Sequence, residues 1–190
     1  MYFRKLQDRF LIIPIILIAG VFVNTVQVFA RPADIFTRYL PEIKNSLPRG
    51  WVMRLPSVVL FRYNPEANNN QLIVRVFSAN TPPAINISLF TCETGIQPCL
   101  LASFTADKKD SFNGKEAFKK HKDAGRAISL DNNIKGYILA GPLQKQPVPF
   151  WSIMWEQDGM FYTVSVIDRE RERLRDLAYS MANNRDVIRR

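Results

Sequence analysis

The chain has 190 residues, with 26 Lys and Arg against 17 Asp and Glu, one histidine and two cysteines. Two thiols and a single imidazole are too few for the four-ligand shell of a structural zinc, so no metal or cofactor is expected. The net charge of +9, which falls to +7 once residues 1–30 are set aside, favours anionic surfaces such as lipid headgroups or acidic polysaccharide, and in a protein outside the cytoplasm it gives little ground for nucleic acid.

Residues 1–30 read as an export signal. Arg4, Lys5 and Arg9 make a basic start, Phe10 to Val23 form an apolar run, and Val28-Phe29-Ala30 supplies the small residues a signal peptidase accepts. Cleavage after Ala30 leaves 31–190 as one extracytoplasmic domain, with 23 basic against 16 acidic residues once Arg4, Lys5, Arg9 and Asp8 are removed. That length suits a single core, which serves about 100 to 200 residues. The alternative is an uncleaved anchor, which would be the chain's only membrane contact. The uninterrupted apolar run falls short of the roughly 20 residues a span requires.

Asp34 to Ser46 carries Ile35, Tyr39 and Ile43 at helical spacing, followed by Leu47, and Pro41 predicts a break near Leu40. Leu47-Pro48-Arg49-Gly50 ends the helix. Trp51 to Tyr63, Gln71 to Ala79 and Ala84 to Thr91 read as consecutive antiparallel strands, turned by Asn64-Pro65 with Asn68-Asn69-Asn70 and by Asn80-Thr81-Pro82-Pro83. In an oxidising compartment Cys92 and Cys99, with Gly95 and Pro98 between them, predict a disulfide; the tighter C-x-x-C spacing of a catalytic dithiol is absent.

Between Lys108 and Arg126 the composition turns lysine-rich, with Phe112, Ala117 and Phe118 interleaved. Lys115, Lys119 and Lys122 share one helical face and are the candidate contact to an anionic surface. The alternative is an ordinary solvated helix whose phenylalanines touch the core. Gly125 to Leu130 and Ile134 to Ala140 follow as a strand pair turned at Asp131-Asn132-Asn133.

From Phe150 to Ile167 the pattern is a hairpin. Asp158-Gly159 suits a two-residue turn with positive φ at both positions, which sets Gln157 against Met160, Trp155 against Tyr162, Ile153 against Val164 and Trp151 against Val166. That face is buried, and the other, with Glu156, Phe161, Met154, Thr163, Ser152 and Ser165, meets water or a helix. A closing helix is expected at once, with Asp168 as N-cap, a buried stripe of Leu174, Leu177, Ala178 and Met181, and an end at Asn183-Asn184 in the left-handed conformation. Together these elements give an α+β fold, an antiparallel sheet with N-terminal, inserted and C-terminal helices.

The run Trp155-Glu156-Gln157-Asp158-Gly159-Met160-Phe161-Tyr162-Thr163-Val164, with Leu174, Leu177, Ala178, Ser180 and Met181, resembles the hairpin and helix that close an uncharacterised domain of exported and membrane-anchored bacterial proteins, and secreted proteins of cyanobacterial type. The resemblance covers about the last fifth of the chain. It implies a non-catalytic extracytoplasmic module and carries over no site residue.

Catalytic patterns fail mostly by absence. No G-x-x-x-x-G-K, G-x-G-x-x-G or H-E-x-x-H occurs. His121 lies among Lys119, Lys120 and Lys122, where a solvated imidazole with a depressed pKa is expected rather than a Ser-His-Asp or Cys-His arrangement. Two-carboxylate hydrolysis needs no histidine, and Glu156 and Asp158 are the aromatic-flanked acids available to it. The reading is a non-enzymatic module that binds a protein or an anionic envelope component in the periplasm, a lumen or outside the cell; the alternative is a small carboxylate-dependent hydrolase.

Overall fold

The computed structural model describes residues 31–61, 72–93, 99–131, 133–141, 150–185 and 187–190. The leader, the Asn64 to Asn70 turn, Gly95, Pro98 and Asn132 lie outside the described residues. The order is α1 (Asp34–Thr37), α2 (Leu40–Ser46), β1 (Val52–Arg54), β2 (Ile73–Asn80), β3 (Pro83–Phe90), β4 (Leu100–Lys108), α3 (Phe112–Ala124), β5 (Arg126–Asp131), β6 (Ile134–Leu139), β7 (Phe150–Gln157), β8 (Met160–Ile167), a 3-10 turn (Asp168–Glu170), α4 (Leu174–Asn183) and β9 (Val187–Arg189).

Seven antiparallel strands form the main sheet in the order β2-β3-β4-β8-β7-β6-β5, and β1 pairs with β9 apart from it. The chain therefore leaves the sheet after β4, and returns at the far edge as β5. In between, α3 packs against β4, β5, β6 and β7. The other helices take the opposite face, where α2 meets β2, and α4 meets β5, β7 and β8.

The hairpin β7-β8 has the register that Asp158-Gly159 dictates, including Trp155 opposite Tyr162 and Ile153 opposite Val164. Asp158 and Gly159 take φ of 54° and 74°, as a turn of type I′ requires. Trp155, Tyr162, Phe104, Ile87 and Val164 are fully buried on the inner face against Phe36, Ile43, Leu47, Met53 and Met181. Phe36 meets Phe104 edge to face at 5.7 Å. Each such side chain contributes about 1.5 to 3 kcal/mol by leaving water. Trp151 is only half-buried, its indole donating to Asp168 Oδ1 at 2.7 Å.

Several expectations change. Pro41 does break the first helix, but by starting a second at α2, where it takes a first-turn position that needs no N–H. Of the stretch 51–63 the structure describes 51–61, in which only Val52–Arg54 is strand, and it pairs with β9 rather than β2; Pro56 interrupts the run, and Ser57 N and Val58 N donate instead to Ser180 Oγ of α4 at 2.9 and 3.1 Å. Asp168 does not cap α4, which starts six residues later after the 3-10 turn. Asn184 ends α4 with φ of −68° rather than left-handed, and its fully buried amide donates to Leu55 O at 2.8 Å.

A latch joins these outer elements to the hairpin. The buried guanidinium of Arg54 donates through Nε and Nη2 to Asp158 Oδ2 at 2.9 and 2.6 Å, and through Nη1 to the carbonyl of Asn184. Its side chain is 10% exposed and that of Asp158 37%. Removing the cation strips a buried carbonyl of its donor, whereas removing the half-exposed carboxylate leaves a cation that still has that carbonyl. Arg54→Met should therefore cost about 3 kcal/mol in chemical denaturation, against about 1 kcal/mol for Asp158→Asn, which keeps a residue tolerant of positive φ.

Candidate functional site

The lysine-rich segment folds as α3 because its ends are set by two devices. Ser111 caps the start, its Oγ accepting from Gly114 N at 3.1 Å. A Cβ on Gly114 would lie 2.6 Å from that oxygen and 3.1 Å from the Phe161 ring, so only glycine lets the first turn lie this close to the sheet. At the other end a Cβ on Gly125 would come within 2.5 Å of Ile138 O.

Toward the sheet, Phe118 stacks on Phe161 at 4.5 Å and meets Tyr137 edge to face at 5.6 Å. His121 is buried beside them. Its Nδ1 lies 2.8 Å from Ala117 O and its Nε2 2.8 Å from Ser152 Oγ. The carbonyl fixes the proton on Nδ1, leaving Nε2 to accept from the serine hydroxyl. This corrects the expectation of a solvated imidazole: helical periodicity turns position 121 inward even though its sequence neighbours are lysines. Burial, first, and the Lys120 charge lower its pKa below the ordinary 6.5. Ser152 is itself buried under the helix, so the pair works as a packing bond between α3 and β7.

Away from the sheet, Lys115, Lys119 and Lys122 are all exposed, as expected. At 100° per residue Phe112 falls on the same outer stripe, three residues before Lys115 and seven before Lys119. Phe118 touches the core as read from sequence; Phe112 does not, and is 80% exposed. Lys119 pairs with Asp123 one turn on. The stripe runs down to a depression of about 500 Å³ lined by Gly50, Lys108, Lys109, Asp110, Lys115 and the Asp158-Gly159-Met160 turn. Lys109 forms an ion pair with Glu156, and Asp158 is held by Arg54. The two acids open to a hydrolytic role thus each face a cation.

Cys92 and Cys99 form the expected disulfide, with Cα atoms 5.6 Å apart. It ties β3 to β4 at the end of the sheet opposite the depression, and closing so short a loop is worth about 2 to 3 kcal/mol. Among the described residues no cluster of three His, Cys, Asp or Glu side chains could hold a metal, and no helix is long and apolar enough to cross a membrane. No protein-family model, curated protein or solved structure matches the chain.

Buried His121 and half-buried Asp107 set an opposed pH dependence. The unfolded chain protonates His121 near pH 6.5 and the folded chain only at lower pH, so stability falls as pH drops from about 6.5 until the folded-state value is passed. Burial raises Asp107 on β4 above its ordinary 3.8, so ionising it costs stability as pH rises from 3.8 through the folded-state value. In denaturation series at stepped pH, His121→Gln should flatten the loss below pH 6.5, and Asp107→Asn should stabilise at neutral pH. Unchanged profiles would disprove the assignments.

Proposed function

We propose that this protein is an exported, non-enzymatic module that holds an anionic component of the envelope on the outer stripe of α3. The observation that carries the reading is the arrangement of Lys115, Lys119 and Lys122 on the solvent side of a helix whose other side is committed to packing. Lys108 extends the positive charge around the depression, against Asp110, while Lys109 and Asp158 there are paired with Glu156 and Arg54. The excess of 23 basic over 16 acidic residues in 31–190, a net of +7, adds a long-range bias in the same direction. The export motif and the disulfide favour an oxidising compartment, and the resemblance of the closing hairpin and helix to a domain of exported bacterial proteins favours a binding rather than a catalytic role.

Two measurements test this. Lys115→Ser, Lys119→Ser and Lys122→Ser combined should weaken binding to an anionic matrix about a hundredfold at low salt, since each cation near an anionic surface is worth about 1 kcal/mol; Glu156→Gln should leave it intact. Protein recovered from its native cells should begin at Arg31 and have no free thiol. Recovery from the cytosol with both thiols reduced would remove the compartment and the partner class together.

A further inference from the structure

We infer that the anionic component is a lipid bilayer, met by the stripe with Phe112 entering the interfacial region while Lys108 and Lys115 hold phosphate headgroups; this rests on the anionic-surface reading above. Among the described residues Phe112 is the most exposed large hydrophobic side chain, at 80%. It has no ring contact among them, whereas Phe118, one and a half turns on, has two. Packing therefore does not explain why an aromatic side chain stands at this position.

Its surroundings match an interface. Lys115 and Lys119 follow on the same stripe, and Lys108 and Lys109 precede it at the end of β4. Lys108 and Lys115 have no ion pair among the described residues, and both line the depression beside Phe112's helical turn. Three of the nearby acids are neutralised, Glu156 by Lys109, Asp158 by Arg54 and Asp123 by Lys119, leaving Asp110 and Glu116 exposed and Asp107 half-buried beneath the helix. A projecting ring flanked by cations on long apolar stems is the arrangement that seats a protein on anionic headgroups, the ring below the phosphates and the ammonium groups among them. A polysaccharide would engage the same lysines through its anionic groups and offers the ring no hydrocarbon layer to enter.

The test uses the chain from Arg31, which contains the whole core cluster from Phe36 to Ala182. Co-sedimentation is measured with phosphatidylglycerol vesicles, with phosphatidylcholine vesicles and on immobilised dextran sulfate. The wild type should bind phosphatidylglycerol and not phosphatidylcholine. Phe112→Ser should lower vesicle affinity about tenfold and leave dextran sulfate binding unchanged, with near-UV circular dichroism verifying the fold. Phe112→Trp should restore vesicle binding and shift its emission to the blue on phosphatidylglycerol. Equal vesicle binding by wild type and Phe112→Ser, with the triple lysine variant still defective, would overturn insertion and leave the anionic-surface reading standing. Binding to dextran sulfate alone would overturn the bilayer and point to polysaccharide, and binding to neither would end both readings.

Discussion

Arg54 is the side chain on which the arrangement of the outer layer depends. A guanidinium taken out of water costs several kcal/mol unless its donors are matched, and here they are divided between a carboxylate in the β7-β8 turn and the chain just after α4. Three remote segments are thereby held to one point. Neighbouring bonds add to the same seam: Tyr162 Oη donates to Val52 O at 3.0 Å, and Gln157 Nε2 to Ala182 O at 3.0 Å. Burial raises the Tyr162 phenol well above its ordinary value, so it stays a donor throughout the accessible pH range.

The seam reaches the candidate site through a short path. Arg54 anchors Asp158, the first residue of the turn, and Gly159, the second, accepts from Lys109 N at 3.1 Å. Lys109 in turn starts the link to α3, and both turn residues line the depression. The position of the lysines is therefore set by the latch at one end and by Phe118, His121 and Ser152 at the other. A basic surface built on such supports is held in place without drawing on the lysines themselves, whose own ion pairs are exposed and worth little.

How much of this was legible in the sequence depended on whether the deciding interaction was local. The β7-β8 register could be read residue by residue, because a two-residue turn with Asp-Gly and a period of two leave one solution. Strand β4 is not legible in this way, since Leu100–Lys108 lies between a cysteine and a lysine run with no turn signal of its own. β9 and the true partner of β1 were equally hidden, because three residues pairing across more than 130 positions leave no periodic trace. His121 is hidden for a related reason: charge along the chain points it to solvent, while the helix places it on the sheet. The same rotation separates Phe112 from Phe118, which look alike in composition and differ in phase. Arg54 gave no signal, being one arginine among many until its partners are assembled.

The topology also separates what α3 must do from what its surface adds. Four strand spacings of about 4.8 Å separate β4 from β5, so the connection has to cross about 19 Å of sheet. Thirteen helical residues at 1.5 Å each supply about 20 Å, with Lys109 to Ser111 left to cover the lengthwise return. A helix of this length, with Gly114, Phe118 and His121 turned inward, therefore meets the requirement that the strand order sets for the crossover. None of that requirement extends to the outer stripe. Any polar residues there would keep the crossover soluble, and a phenylalanine at its head works against solubility. The strand order thus leaves the identities of Phe112, Lys115, Lys119 and Lys122 free, and the proposed membrane contact rests on their arrangement along one stripe, not on the exposure of a single ring.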